Sequence, residues 1–397
     1  MIIVIAIDSY NEANGGTIAT MRIAEALKKR GHEVRIVGAI HKDPSDPYFY
    51  KVPGFVLPGA EGAQESMVFL FGKNDKKTFE KAIRGADVVL IQFPFFMARG
   101  VAKTAKKMKV PVVGSFHVQP QNIMVALNKS SKTLERIIWF LFKYFLFKRV
   151  PTIISPSKFA VDLLKSQGVN AHHTYISNGI PEEYVPGNYT RPEWFEGKMV
   201  LISVGRHAGE KRQKLLIEGV RRSKYKENIQ LILAGKGEDT EELIRLGESL
   251  PVKPYIKYIS DEEKLRFLNT ADMYVHGSVV ELESLSTSEA VGCGLPCLIS
   301  NSRHSAASQF ALDERFIFNS DDPADLAEKI DYWYEHLEEL RSLQMKEKIL
   351  AMAEQYRFEN SINKYEAFLW EIVDPEKIKK RQSGNKVEEP MLQPQIV

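Results

Sequence analysis

Two cations that follow a predicted strand are the first candidates for chemistry in this sequence. The strand-like run VLISVG leads into Arg206, and Lys211 follows in RHAGEK. A strand-to-helix turn with two positive side chains suits a diphosphate, which needs at least two compensating charges. Arg and Lys near a helix start are also common as solvated surface charges, so the pair on its own leaves both interpretations open.

Two glutamates with seven residues between them form the second candidate. Glu281 and Glu289 lie in ELESLSTSEAVGCGLP, where a helix is predicted to start around residues 284–286. The free amides at a helix start can bind phosphate oxygens. Glu289 would point inward and accept hydrogen bonds from a vicinal diol such as ribose, and Glu281 could hold sugar hydroxyls. Acids at this spacing also occur on ordinary surface helices.

The first half of the chain supplies matching candidates. Gly15 and Gly16 separate the first predicted strand from the first predicted helix, and His117 in GSFHVQP ends another strand. Glycines in such a turn allow close approach of the backbone to a ligand, and the helix start favours anions. The alternatives are a simple tight turn and a structural histidine.

The elements that position these residues alternate between strands and helices. In the first half, a helix that ends at Gly31 follows the first strand, and the predicted strands are 2–7, 32–39, 87–93, 111–117, 151–157 and 172–180. After an irregular stretch at 181–197 the alternation restarts, with strands near 198–205, 228–235, 255–260, 271–278 and 295–301. This order predicts two parallel sheets covered by helices, with ligands bound beyond the carboxyl ends of the strands.

The predicted organisation is therefore two α/β domains that face each other across a cleft. The first covers residues 1–190 and the second covers residues 191–358. A helix is predicted at 359–373, which could cross back to the first domain, and 374–397 is polar and unpatterned, as in a flexible tail.

Taken in order, the motifs of the second half resemble the C-terminal half of the family 4 glycosyltransferases. The order is the strand with Gly205, Arg206 and Lys211, then LILAGKGED, then ADMYVHGS, then the two glutamates ending in GCGLP. The resemblance covers nearly the whole chain, residues 1–373. It implies the GT-B fold, in which two Rossmann-like domains face each other, and a retaining transfer of a sugar.

The resemblance also implies individual roles. Arg206 and Lys211 would stabilise the donor diphosphate and the departing nucleotide, Glu281 would face the transferred sugar, and His117 would contact that sugar near the reacting centre. Glu289 would bind the ribose, and Tyr258 with Ile259 would lie beside the base. The residues implied to bind the donor are Gly15, Gly16, Gly205, Gly235, Gly237, Tyr258, Ile259, Ser284, Leu285, Ser286 and Glu289.

The sequence departs from the family pattern at one position of this site. Ser284 stands three residues after Glu281, where the family commonly has Gly. A loop that needs a positive φ there would be strained with Ser.

The sequence suggests that no metal cofactor is needed. We find no Asp-x-Asp motif after a nucleotide-binding strand, and Asp321 with Asp322 is typical of a helix cap. Cations of the protein would then neutralise the leaving phosphates. No single carboxylate stands out as a nucleophile, and the family precedent is front-face transfer, in which the leaving phosphate helps to deprotonate the acceptor.

The charge is distributed unevenly along the chain. The formal net charge is +3, but residues 1–190 carry a net +10 and the remainder a net −7. Between Arg99 and Lys158 there are 12 basic residues and one acid, Glu135. Such a region suits an anionic membrane surface or nucleic acid, although a solvated basic face is the simpler alternative.

The remaining signals concern location. Two cysteines are too few for a disulfide framework, which favours a reducing compartment. The first residues are typical of a strand and not of a signal peptide, and no stretch is long and apolar enough to span a membrane. We therefore expect a cytoplasmic protein, and the basic region described above suggests that it associates peripherally with the inner face of the cell membrane.

The segment 130–150 is the main clue to the acceptor. Six of the nine residues 139–147 are aromatic, and cations accompany them. The segment suits a helix at an anionic lipid surface, and a buried helix of the first domain is the alternative. The residues expected to contact the membrane are Lys132, Arg136, Trp139, Phe140, Phe142, Lys143 and Phe147.

The resulting functional expectation is transfer of a hexose, with UDP-glucose as donor, to a lipid acceptor such as diacylglycerol or a glycolipid. Bacterial family 4 enzymes that glucosylate such lipids are similar in having a basic, amphipathic N-terminal domain. The alternatives are a glycosyltransferase of polysaccharide or polyprenyl-linked glycan synthesis and a non-catalytic module that binds a sugar nucleotide. Nucleic-acid binding is disfavoured because the aromatic residues form one apolar run and are not interleaved as stacking platforms.

Overall fold

The computed structural model describes residues 1–12, 14–58, 68–127 and 129–373. The predicted tail at 374–397 lies outside these residues. Strands are numbered in chain order as follows: β1 Ile2–Ala6, β2 Ser9–Tyr10, β3 Glu33–Gly38, β4 Ile40–His41, β5 Phe49–Lys51, β6 Gly54–Phe55, β7 Phe71–Gly72, β8 Val88–Ile91, β9 Val112–Ser115, β10 Thr152–Ser155, β11 His172–Tyr175, β12 Met199–Val204, β13 Ile229–Ala234, β14 Tyr255–Lys257, β15 Met273–His276, β16 Cys297–Ser300 and β17 Ile317–Phe318.

Helices alternate with these strands. They are α1 Gly15–Lys29, α2 Lys76–Ile83, α3 Ala98–Lys107, α4 Pro120–Ala126, α5 Lys132–Phe142, α6 Lys158–Ser166, α7 Gln213–Arg222, α8 Thr240–Gly247, α9 Asp261–Thr270, α10 Leu285–Gly292, α11 Pro323–Glu335, α12 Leu337–Leu340, α13 Leu343–Glu354 and α14 Phe358–Val373. One turn of π-helix, Lys143–Phe147, extends α5.

Two parallel sheets form the centres of the two Rossmann-like domains, as the sequence predicts. The first has the strand order β11-β10-β9-β8-β1-β3-β5, and the second has the order β14-β13-β12-β15-β16-β17. Every neighbouring pair within each sheet is parallel. Both faces are covered by helices, which explains why the central strands are continuous apolar runs.

Helix ends follow local sequence chemistry. The Asn14 side chain accepts hydrogen bonds from the backbone N–H groups of Gly16 and Thr17 at the start of α1. At the other end Gly31 has a φ of 82°, which suits glycine. Gly15 and Gly16, predicted to separate the first strand from the first helix, are therefore the first two residues of α1 itself.

The chain crosses between the domains near residues 176–180 and returns near 356–358. The strand predicted over 172–180 ends at Tyr175, because the following residues form the first crossing. The backbone of Ile180 pairs with Tyr356 and Phe358, which joins the two crossings. α14 then buries Ile362, Tyr365 and Leu369 in the same apolar cluster as β1, β3 and α1.

Candidate active site

One cleft contains all the residues predicted to bind the donor or to catalyse transfer. It lies beyond the carboxyl ends of strands in both sheets and has a volume of about 1550 Å³. That is larger than the roughly 300–1,000 Å³ typical of a site for one small ligand, so two substrates have room. The predicted residues that line it are Gly15, Gly16, His117, Gly205, Arg206, Lys211, Gly235, Gly237, Tyr258, Ile259, Glu281, Ser284, Leu285, Ser286 and Glu289.

An ion pair between Lys211 and Glu281 occupies the second-domain wall of this cleft. Lys211 Nζ lies 2.6 Å from Glu281 Oε1. Burial alone would lower the pKa of Lys211, but the charges of Glu281 and Glu210 outweigh burial and raise it. Burial likewise would raise the pKa of Glu281, but the charge of Lys211 prevails and lowers it. Both groups are therefore held in their charged forms.

His276 adds a third group to this pair, and the sequence analysis did not identify it. Its Nε2 lies 3.7 Å from Glu281 Oε1. Burial lowers the pKa of His276 to about 4, so the ring is neutral at pH 7. His276 could have been predicted from its position at the end of β15, since ligands bind at the carboxyl ends of such strands.

Arg206 lies on the loop after β12 and is held by a neighbouring acid. Its guanidinium lies 2.7 Å from Glu210 Oε1, and its side chain is 27% exposed. The side chain thus has a fixed anchor and an accessible edge. Arg206 and Lys211 together provide the two cations that a diphosphate requires.

Gly235 is required by a close approach between two loops of the second sheet. A Cβ at this position would lie 1.9 Å from the carbonyl oxygen of Gly205. No side chain fits there, so the loops after β12 and β13 meet backbone to backbone beneath the cleft. Tyr258, on the neighbouring loop, is 68% exposed, and Lys236 Nζ lies 5.0 Å from its ring centroid.

The start of α10 faces the cleft, and Ser284 caps it. Ser284 has a φ of −167°, and its side chain accepts a hydrogen bond from Thr287 N–H. The strain expected from Ser in place of Gly is therefore absent at Ser284, because its backbone is extended and any residue can adopt that conformation. The hydroxyl of Ser286 pairs with Tyr274 at 2.8 Å.

Glu289 is held by two cations, one of them from the opposite domain. Arg22 of α1 lies 2.8 Å from Glu289 Oε1, and Lys264 of α9 lies 3.4 Å from Glu289 Oε2. The sequence analysis identified neither partner. Arg22 is 267 residues away in the sequence, and no local pattern marks such a contact.

His117 lies on the first-domain wall, beside Gly16 in the first turn of α1. Its Nε2 lies 3.0 Å from Gln92 Oε1, and loss of hydration lowers the pKa of the ring to about 4. A Cβ at Gly16 would lie 2.8 Å from the His117 Cβ. Glycine at position 16 is therefore required for the first turn of α1 to pack against the histidine, and the ring is neutral at pH 7.

Glu283 is a further buried acid that the sequence analysis missed. Its carboxylate accepts hydrogen bonds from Ser177 Oγ at 2.6 Å and from Asn178 N–H at 2.9 Å. Burial raises its pKa to about 7. Glu283 thus ties the loop that carries Glu281 to the first crossing between the domains.

The expected membrane segment needs correction at three positions. Trp139, Phe142 and Phe147 are 3%, 2% and 1% exposed, so they belong to the core of the first domain and do not contact a membrane in this structure. One face of α5 packs against the sheet, and burial of large aromatic side chains there explains the composition of the segment.

The opposite face of α5 is exposed and apolar. Phe140 is 62% exposed and Ile137 is 50% exposed, and Leu141 and Tyr144 accompany them. Lys132 and Arg136 are exposed beside them, whereas Lys143 is half-buried and its Nζ donates to the backbone oxygen of Gln167. The helix therefore combines a core face with a solvent-facing apolar patch.

Over residues 1–12, 14–58, 68–127 and 129–373, no group of three His, Cys, Asp or Glu side chains is placed to hold a metal ion. Within the same ranges, the helices are too short or too polar to cross a bilayer.

Comparison with protein families gives two matches that together cover most of the chain. A family profile described as "Glycosyltransferase Family 4" matches residues 13–184. A second profile, "Glycosyl transferases group 1", matches residues 190–348.

Curated relatives come from two groups. An alpha-monoglucosyldiacylglycerol synthase of Acholeplasma laidlawii is 25% identical over 72% of this chain and 76% of its own length. The synthase of that name from Streptococcus pneumoniae is 23% identical over 73% and 69%. A GDP-mannose-dependent alpha-mannosyltransferase of Mycobacterium tuberculosis is 22% identical over 72% and 75%.

Solved structures show a similar fold. Anabaena HepE in complex with UDP-glucose has a TM-score of 0.69 at 16% identity, over 97% of this chain and all of the other. WaaG, a glycosyltransferase of lipopolysaccharide biosynthesis, has a TM-score of 0.67 at 16% identity, over 94% of this chain and all of the other.

Proposed function

Because the chain belongs to the family 4 glycosyltransferases and has the GT-B fold, we propose that it transfers glucose from UDP-glucose to a membrane lipid with retention of anomeric configuration. The observation that carries this proposal is the Lys211–Glu281 ion pair, which lies with Arg206 on one wall of a cleft that has His117 on the other. A cleft with paired cations, sugar-facing carboxylates and space for two substrates suits a nucleotide sugar and an acceptor.

The proposed mechanism assigns the leaving group to the protein's own cations. As the bond between the anomeric carbon and the diphosphate oxygen breaks, Arg206 and Lys211 neutralise the developing negative charge. The acceptor oxygen bonds to the same face of that carbon, and its proton passes to the departing phosphate oxygen. No metal is required in this scheme.

The carboxylates and the neutral histidines have positioning roles in this scheme. Glu281 holds Lys211 and accepts a hydrogen bond from a sugar hydroxyl. Glu289 binds the ribose, and the neutral His117 ring contacts the donor sugar without adding a charge that would oppose the cationic transition state.

The lipid acceptor is supported by the exposed apolar patch of α5 and by the curated relatives. Phe140 and Ile137 are exposed next to Lys132 and Arg136, an arrangement that suits an anionic bilayer surface. The Acholeplasma and Streptococcus relatives are named for a glucosylated diacylglycerol. We therefore propose peripheral attachment to the inner face of the cell membrane.

A second donor is favoured by a specific finding. The mannosyltransferase relatives are named as GDP-mannose-dependent, and the exposed Tyr258 offers a stacking surface that does not select between bases.

The decisive assay measures nucleotide release from UDP-, GDP- and ADP-sugars, with and without vesicles of anionic lipid and diacylglycerol. Release that is greatest with UDP-glucose and that requires the vesicles supports the proposal. Release that requires a soluble glycan instead would replace the lipid with the polysaccharide alternative, and binding without turnover would favour the non-catalytic module.

The roles of the cations are tested by substitution. Arg206→Ala and Lys211→Ala are each expected to lower kcat by roughly 10²–10³-fold, because each removes charge stabilisation of the leaving group. Lys253→Ala is the control, since this exposed lysine lies outside the cleft. Turnover near the wild-type rate in both cleft variants would refute the assignment. Proton NMR of the product reports whether the α configuration of the donor is retained.

A further inference from the structure

A row of aromatic rings begins at the reacting centre. The Phe93 ring centroid lies 6.2 Å from that of His117. Phe95 stacks on Phe93 at 5.5 Å, and Phe71 meets Phe95 edge-on at 4.9 Å. These separations are typical of rings in direct contact. Phe71, Phe93 and Phe95 all line the cleft.

The row continues without interruption to the surface of the molecule. Phe71 contacts Phe96 at 5.4 Å, and Phe96 contacts Phe145 at 5.3 Å. Phe145 then contacts Tyr144 at 5.3 Å, and Tyr144 stacks with Phe140 at 6.3 Å. The row therefore ends on the exposed apolar patch of α5.

The cleft wall beside the inner part of this row is mostly apolar, with Asn122 as the polar side chain within 118–127 that lines it. Val118, Ile123 and Leu127 line the cleft together with Phe71, Phe93 and Phe95. A glycan acceptor has a hydroxyl group on nearly every carbon, and each hydroxyl taken from water needs a hydrogen-bond partner. Six apolar side chains provide none, whereas they suit a hydrocarbon body.

We propose that Phe71, Phe93 and Phe95 form the acceptor subsite, which holds the hydrocarbon body of a lipid alcohol with its hydroxyl at His117. The lipid reaches this subsite from the bilayer surface at Phe140 and Tyr144, along the aromatic row. The inference rests on the proposed function and deepens it, because it assigns the residues that recognise the acceptor.

Polar substitution in the subsite tests this assignment. Phe71→Asn and Phe95→Asn are expected to raise KM for a lipid alcohol in mixed micelles by about 10-fold or more, because they place amides against the hydrocarbon. KM for the donor and the slow hydrolysis of the donor by water should change less than twofold. Phe71→Leu and Phe95→Leu keep the wall apolar and should change KM for the lipid by less than threefold.

The matched control is Phe55→Asn. Phe55 contacts Phe71 at 5.7 Å within the same aromatic cluster, but it does not line the cleft. It should leave KM for the lipid unchanged. If the Phe71 and Phe95 variants keep the wild-type KM for the lipid, or if Phe55→Asn raises it equally, the subsite is refuted. If neither the wild type nor any variant hydrolyses the donor, that result would instead count against the proposed function.

Photolabelling of the wild-type protein gives a second test that does not depend on folding of variants. The probes are a sterol and a diacylglycerol, each with a diazirine in its hydrocarbon part and each presented in anionic vesicles. Adducts on peptides that contain residues 69–72 or 93–96 support the subsite, and the probe that labels them identifies a fused-ring or an acyl-chain body. Adducts confined to residues 137–144 would overturn it, because the lipid would then contact only the outer surface.

Discussion

Glu289 is a buried carboxylate whose protein partners stand where a substrate diol is expected. Arg22 and Lys264 satisfy its two oxygens, and its side chain is only 6% exposed. An acceptor-only group in this setting can exchange or share these donors with ribose hydroxyls without being left unpaired. In its proposed role, Glu289 would therefore bind ribose at little desolvation cost.

Glu289→Gln is expected to raise KM for the donor by roughly 10-fold or more, because hydrogen bonds to a charged acceptor contribute about 1.5–3 kcal/mol. The maximal rate should change little, since the ribose is remote from the bond that breaks. Donor KM and the dissociation constant of free UDP measure the effect. Glu262→Gln, an exposed acid of α9 outside the cleft, is the control. Equal donor KM in both variants would remove Glu289 from the donor site.

Glu283 makes stability depend on pH in an unusual direction. Its pKa in the folded protein is raised from 4.5 to about 7 by burial. Between these values the folded state binds a proton that the unfolded state has released, so stability falls as pH rises and then levels off above pH 7. The shift corresponds to a cost of up to about 3 kcal/mol at pH 8.

Glu283→Gln should remove this cost. The difference in free energy of unfolding, variant minus wild type, is expected to grow by up to about 3 kcal/mol from pH 5 to pH 8. Denaturant titrations at pH 5, 6, 7 and 8 measure it. Asp8, whose pKa burial also raises to about 7, is present in both proteins and cancels in the difference. A difference that does not vary with pH would contradict the expectation.

For individual residues, the sequence predicted which side chains line the cleft but not which side chains they contact. The order of Arg206, Lys211, Glu281 and Glu289 along the chain was enough to predict that they share one cleft, because the first three lie in segments that follow strands and Glu289 lies in the helix after Glu281. The contacts of Glu289 with Arg22 and of Glu283 with Ser177 depend on how two separately folded domains meet. No local pattern encodes that geometry.

At the scale of one element, helix α5 shows that the aromatic residues of one continuous run can be either buried or exposed. Trp139 and Phe142 are buried, while Phe140, between them in sequence, is 62% exposed. The run is apolar on both faces, so helical periodicity could not separate the core face from the outer face. The prediction from the sequence was wrong for Trp139, Phe142 and Phe147, which it expected at the membrane surface and which are buried in the core.

Neighbouring residues of α5 should therefore respond in opposite ways to the same change. Phe140→Ser is expected to reduce pelleting with anionic vesicles and to leave stability within about 0.5 kcal/mol, as for other surface substitutions. Phe142→Ser should destabilise the fold by about 3–5 kcal/mol, because it leaves a cavity and buries a hydroxyl. Pelleting and denaturant titration measure the two effects. Undiminished pelleting of Phe140→Ser would count against membrane attachment through this patch.

At the scale of the whole molecule, polar contacts hold the two domains together across the cleft. Besides Arg22–Glu289, the Gln119 side chain donates to the backbone oxygen of His304 at 2.9 Å, and Ser157 Oγ donates to that of Leu282 at 2.5 Å. Polar interdomain contacts of this kind are typical of domains that move relative to one another. In this structure the two domains contact each other through the side chains of Arg22, Gln119 and Ser157.

Arg22→Ala should shift the molecule towards open arrangements. The pair is partly exposed, so its loss is expected to be of the order of 1 kcal/mol, and the radius of gyration in small-angle X-ray scattering should increase. Lys28→Ala is the control, because Lys28 lies on the same helix and pairs with Asp46 of its own domain at 3.3 Å. Scattering from Arg22→Ala that matches the control would show that this contact does not hold the cleft closed.

The return of α14 to the first sheet has a consequence for protein synthesis. Ile362, Tyr365 and Leu369 complete an apolar cluster whose other members lie within the first domain, from Ile3 to Ile176. Synthesis of the first domain ends near residue 176, whereas α14 begins only at Phe358. At a synthesis rate of about 5–20 residues per second, the apolar surface that α14 covers stays exposed for roughly 10–40 s before α14 is made. During that interval the nascent chain exposes an apolar surface that chaperones can bind. This surface is covered only when the second domain and α14 have been synthesised.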